Sequence, residues 1–139
     1  FEGHVLAPGD SIWFEGSASI HRYGGPIMRT FSVGAPPPAV RRTHDIMVRA
    51  LDAILAAARP GVTSGEVDRA ARRIVEDAGL GERWLHRSGY SVGVSFPPKW
   101  GEGYIMDLKP SDPRRLHAGM VFHTAPWVAV TRRRRHRPQ

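Results

Sequence analysis

The chain has 139 residues, 41% hydrophobic and 24% charged, which suits one globular domain with a buried core and argues against a disordered or fibrous chain. Cysteine is absent, which excludes disulfides and thiolate metal sites and makes a cytoplasmic location the expectation. The formal net charge is +7, yet without Arg132, Arg133, Arg134, Arg135 and Arg137 only 15 basic residues face 13 acidic ones; the body is nearly neutral, and the Arg run reads as a solvated, disordered tail over 131–139.

In chain order, Phe1-Glu2-Gly3-His4 has neither a charged n-region nor an apolar h-region, so no signal peptide is expected. The lack of an initiating Met raises the expectation of further sequence upstream. No apolar run approaches the roughly 18 residues of a membrane span. Pro8-Gly9-Asp10 marks a turn, and Ser11–Glu15 a strand rich in β-formers, with Glu15 at its end. Gly24-Gly25-Pro26 is expected to bend the chain before a second strand, Arg29–Val33, and Pro36-Pro37-Pro38 closes this section. Met47, Ala50, Leu51, Ile54 and Leu55 then repeat at helical spacing, with Arg42, Asp45, Arg49 and Asp52 on the other side. Arg59-Pro60-Gly61 ends that helix. A second helix opens at Thr63-Ser64-Gly65-Glu66, where Thr and Glu stand at capping-box spacing. Its stripe is Val67, Ala70, Ala71, Ile74, Val75 and Ala78, and Gly79 suits its C-terminal cap. Strands are expected again at Gly89–Val94, Gly103–Asp107 and Met120–His123, around a Pro-Pro loop that carries Lys99, Trp100, Gly101 and Glu102. Strands, then a helix hairpin laid across a sheet, then strands give an α+β class.

Four segments, in order, resemble the creatinase/methionine aminopeptidase/Xaa-Pro peptidase family. They are Glu15-x7-Tyr23-x5-Arg29-Thr30-Phe31-x2-Gly34, Arg59-Pro60-Gly61-Val62-Thr63, His86-x2-Gly89-Tyr90-x2-Gly93, and Gly119-Met120-x-Phe122 with Pro126. The resemblance implies a pita-bread fold, incomplete at both ends, with a partial catalytic domain over 1–130. The break in pattern after Val130 is read as an altered frame or a cut. Typical peptidases of this family hold two divalent metals with two Asp, one His and two Glu. Carried over position by position, these become Glu15, Pro26, Tyr90 and Ala125, with the fifth falling beyond residue 130. So few ligands imply that no metal is held and no cofactor is needed.

The metal-independent branch of ectoine hydrolase and creatinase is more similar. Its pattern corresponds to Arg22-Tyr23, Pro26, Arg29-Thr30, then Gly89-Tyr90-Ser91, Gly93, Pro97-Pro98-Lys99-Trp100-Gly101-Glu102, then Gly119-Met120, Phe122-His123. The resemblance implies hydrolysis of a C–N bond in a small cyclic amidine or guanidino compound. Such substrates need carboxylates for the cation, aromatic faces beside it, and a cation for their own carboxylate. Glu15 and Glu102 suit the first role, Tyr90 and Trp100 the second, and Arg29 or Arg87 the third. Glu15, His86 and His123 are the candidates for acid–base work. Tyr23, Arg29 and Thr30 also read as scaffold, as cross-strand partners, while His4, His21, His44, His117 and His136 read as surface. The family also implies a homodimer. An inert family fragment is the alternative. A nucleic-acid module driven by the tail is a further one, for which no basic face or aromatic platform stands in the body; neither a nucleic-acid nor a membrane partner is expected.

Overall fold

The structure is a computed structural model in which residues 5–128 are described. The Arg-rich stretch from 131 and the end of the proposed 1–130 unit lie outside them.

Two strands, β1 (Ser11–Ile20) and β2 (Tyr23–Ser32), form an antiparallel hairpin in unbroken register from Ser11–Ser32 to Ile20–Tyr23. The turn is not at Gly24-Gly25-Pro26. It is the two-residue His21-Arg22 loop, with φ of 49° and 68°, the left-handed pair that matches the twist of the flanking strands. Pro26 sits inside β2 opposite Ser17. That position costs the ladder nothing, because backbone donors alternate between the partner strand and the outside. Gly24, two residues earlier on the same outward edge, donates its N–H to Gly93 O at 3.1 Å. Glu15 is therefore mid-strand, not at a strand end.

Helix α1 (Pro38–Ala57) starts at Pro38, where the missing N–H is no loss. It buries Ala50 and Ile54 completely and leaves Leu55 62% exposed. The apolar stripe is thus narrower than the sequence spacing suggests. Helix α2 (Ser64–Asp77) begins with the expected capping box. Thr63 Oγ1 accepts from the Glu66 N–H at 3.2 Å, and Glu66 Oε2 accepts from the Thr63 N–H at 2.8 Å. It ends with Gly79 at φ +71°, whose N–H and that of Leu80 donate back to Glu76 O and Val75 O. Val67, Ala71 and Val75 are fully buried. The two helices pack together with Trp84, Met106, Leu108, Leu116 and Val128 into the core.

The last third is shorter in strand than its sequence suggests. β3 is Gly89–Ser91, β4 Asp107–Leu108 and β5 Phe122–Thr124, all antiparallel in the order β4-β3-β5. Gly103–Ile105 turns instead of extending. One face of this small sheet carries the fully buried Leu108 into the helical core. The other presents a row Asp107–Tyr90–His123, which the register places side by side.

One polar network ties the helices to β3. Asp68 is 1% exposed and accepts from Arg72 Nε at 2.6 Å and from the fully buried Ser88 hydroxyl at 2.5 Å. Arg72 also donates to the carbonyls of Trp84 at 3.0 Å and His86 at 2.6 Å. The stretch entering β3 is thereby fixed against α2.

Candidate active site

Tyr90, the middle residue of the Asp107–Tyr90–His123 row, lines a cavity of about 450 Å³ together with Glu15, Arg87, Lys99, Trp100, Tyr104, Pro98 and two glycines. Three parts of the chain supply it: β1 brings Glu15, the β3 region brings Arg87 and Tyr90, and the loop after β3 brings the rest. Hydrogen bonds join the parts. The hairpin tip meets the loop through Gly24 N–H to Gly93 O and Ser95 N–H to Arg22 O, 3.0 Å. Gly24 also lies so close to the Trp100 carbonyl that a side chain there would collide with backbone.

Within the cavity, Trp100 Nε1–H donates to the Tyr90 hydroxyl oxygen at 2.9 Å. Arg87 is paired with Asp107 at 2.7 Å, and its guanidinium lies 4.5 Å above the Tyr90 ring. Lys99 Nζ stands 5.9 Å from the Tyr104 ring centre. Burial pushes the Tyr90 phenol above its ordinary pKa; the hydrogen bond from Trp100 works against this, and the Glu15 charge adds to it. The phenol stays protonated at neutral pH.

His123 stands beside Tyr90, ring centres 5.2 Å apart. Its Nε2 is buried without a hydrogen-bond partner among the described residues. Burial lowers its pKa, opposed by the Glu15 carboxylate, so the imidazole is neutral at pH 7.

Of the residues picked from sequence, Glu15, Tyr90 and Trp100 come together here, with His123 against the cavity's tyrosine. Three do not join them. Arg29 is exposed and opposite Phe14, whereas Glu15 faces Met28. Successive pairs point to opposite faces, so Arg29 is on the hairpin's other side, where its guanidinium donates to Met28 O at 2.7 Å. His86 has both ring nitrogens against backbone carbonyls, Arg87 O at 2.7 Å and Trp127 O at 2.8 Å, and stacks on Trp127 at 4.7 Å. Those contacts brace the loop and leave no nitrogen for a substrate. Glu102 lies against Gly93 and lines a second cavity of about 370 Å³, with Tyr23, Ile105, Met120 and Phe122. In sequence Lys99 stands in the Pro-Pro loop motif without a role, and Tyr104 carries no signal. Arg87, one of two cations weighed for the substrate carboxylate, is the one the fold brings in.

Residues 2–135 match the metallopeptidase family M24. The chain belongs to that family. Ectoine hydrolase of Halomonas elongata is 34% identical over 122 residues, which is 86% of this chain and 30% of that protein. Xaa-Pro dipeptidase of Lactobacillus delbrueckii is 32% identical over 130 residues, 91% of this chain and 33% of that one. The crystal structure of dipeptidase PepE from Mycobacterium ulcerans superposes with a TM-score of 0.73 at 34% identity, over 84% of this chain and 30% of that one. The fold is thus part of the M24 pita-bread domain, and the chain spans about a third of the length of these relatives.

The family's two-metal centre finds no matching donor set among the described residues. Pro26 and Ala125 carry no ligand atom at their motif positions. Tyr90 already accepts a hydrogen bond from Trp100. No three of His, Asp and Glu come together to hold an ion among the described residues. Those residues also include no helix long and apolar enough to cross a membrane.

Proposed function

We infer that this chain carries the small-molecule pocket of a metal-independent hydrolase acting on a C–N bond of a cyclic amidine or guanidino compound, ectoine hydrolase-like. One observation carries the reading: a carboxylate, a guanidinium and three aromatic rings line a single cavity, as Glu15, Arg87, Tyr90, Trp100 and Tyr104. Ectoine is a zwitterion, with a delocalised amidinium and a carboxylate. Glu15 pairs with the amidinium N–H groups, the rings flank its flat cation, and Arg87 meets the carboxylate. Water adds to the amidine carbon, the C–N bond breaks, and the departing nitrogen takes a proton. Glu15 and the neutral His123 are the candidates near Tyr90 to move that proton, since the neighbouring Asp107 is paired with Arg87. Similarity to ectoine hydrolase across most of the chain supports the same reading, as do the non-ligating residues at 26 and 125. In the whole protein this pocket belongs to a cytoplasmic homodimer, with no nucleic acid or membrane as partner.

Titration calorimetry tests it, with ectoine in one series and Mn²⁺ or Co²⁺ in another. Ectoine binding without metal binding supports the reading. Tight metal binding overturns the metal-independent part. Binding of neither favours the second reading, an M24 fragment without activity, which draws on the chain spanning about a third of its relatives.

A further inference from the structure

We propose that the Tyr90 hydroxyl is the specificity-determining donor of this cavity, taking a ligand carboxylate alongside Arg87, with Trp100 setting its direction. This rests on the small-zwitterion reading above and adds how the anionic end is recognised.

An indole N–H donates and never accepts, whereas a phenol does both. With Trp100 Nε1 at 2.9 Å, the Tyr90 oxygen must be the acceptor, so its own proton points elsewhere. Among the described residues no hydrogen bond takes that proton, and the ring lines the cavity, where a ligand atom can reach it. The buried phenol keeps its proton well above neutral pH.

Arg87 places a positive charge over the same ring, held there by Asp107. A neutral O–H donor and a guanidinium on one aromatic platform suit an anionic oxygen acceptor, and a charge-assisted bond is about twice as strong as a neutral one. Glu15, the carboxylate of the cavity lining, repels an anion from its own side and draws the cationic end. The two charged ends of a ligand are thereby sorted.

The test follows the Trp100 indole ¹H–¹⁵N cross-peak of the chain, assigned by its loss in Trp100→Phe. Three ligands are titrated at constant ionic strength: ectoine, sodium acetate, and a cyclic amidine without a carboxylate. The expected result is a saturable shift with ectoine and acetate and none with the plain amidine. Tyr90→Phe weakens acetate binding about 5- to 10-fold, the worth of one hydrogen bond. Arg87→Gln, at an exposed residue, weakens it at least as much. Equal shifts with amidine and carboxylates, or no shift with acetate, overturn the proposal. Acetate binding without ectoine binding keeps it and removes the ectoine reading. An unchanged acetate affinity in Arg87→Gln also overturns it, even if Tyr90→Phe fails to fold.

Discussion

Asp68→Ala should be among the most damaging single changes in the helical half of the molecule. Asp68 is 1% exposed and holds two partners, Arg72 and Ser88. Removing its carboxylate leaves a guanidinium only 18% exposed without its counter-ion and a fully buried hydroxyl without its acceptor. Breaking a buried pair by deleting one partner costs about 3–5 kcal/mol. An orphaned buried hydroxyl adds about 1–3 kcal/mol. Arg72 keeps the carbonyls of Trp84 and His86, which offsets part of this, so the net expectation is about 4 kcal/mol. Asp68→Asn retains an oxygen for Ser88 but loses the charge, and about half that loss is expected. Urea unfolding followed by tryptophan fluorescence measures both, with the slope checked for constancy. A loss under about 1 kcal/mol in Asp68→Ala refutes the reasoning, because the network would then be decoration on a core held by apolar contacts alone. Since the same network fixes the stretch that carries Arg87, ligand affinity should fall with it.

Asp112 gives a pH prediction. Hydrogen bonds from Arg114 lower its pKa from 3.8 to about 2. The folded value lies below the unfolded one, so the stabilisation is present above pH 3.8 and fades as pH falls towards 2; Asp112→Asn should flatten that acid limb in a denaturation series. Gly24→Ala should drive the Trp100 backbone away from the hairpin, cost about 1–3 kcal/mol as overpacking does, and weaken the indole–phenol bond, seen as a shifted Trp100 indole resonance. Ile54→Ala should cost about 2–5 kcal/mol. Leu55→Ala, at a residue 62% exposed, should stay within about 0.5 kcal/mol; equal losses in chemical unfolding would mean that α1 packs on a different face.

The sequence alone determined the helices and the family. Thr63 and Glu66 cap α2 through atoms three residues apart, and the Val67–Ala71–Val75 stripe follows from helical period, so local spacing was enough. Four ordered motifs identified the M24 domain for the same reason. The tertiary structure decided where the hairpin turns and which side chains meet. Gly24-Gly25-Pro26 carries every local mark of a bend, yet outward-facing backbone and contact with Gly93 keep it in a strand. Arg29 and Arg87 look alike as carboxylate anchors in sequence. Pairing register put one on the far face of the hairpin, and the Asp107 bridge put the other over Tyr90. His86, Glu102 and Trp100 are all pocket candidates in sequence, and only the tertiary contacts separate them: Trp100 lines the first cavity, Glu102 the second, and His86 is held by backbone carbonyls. Spacing along the chain fixes what period and caps control, whereas convergence on a site depends on contacts between residues tens of positions apart. Glu15 and Tyr90 are such a pair, brought together by packing that no local pattern records.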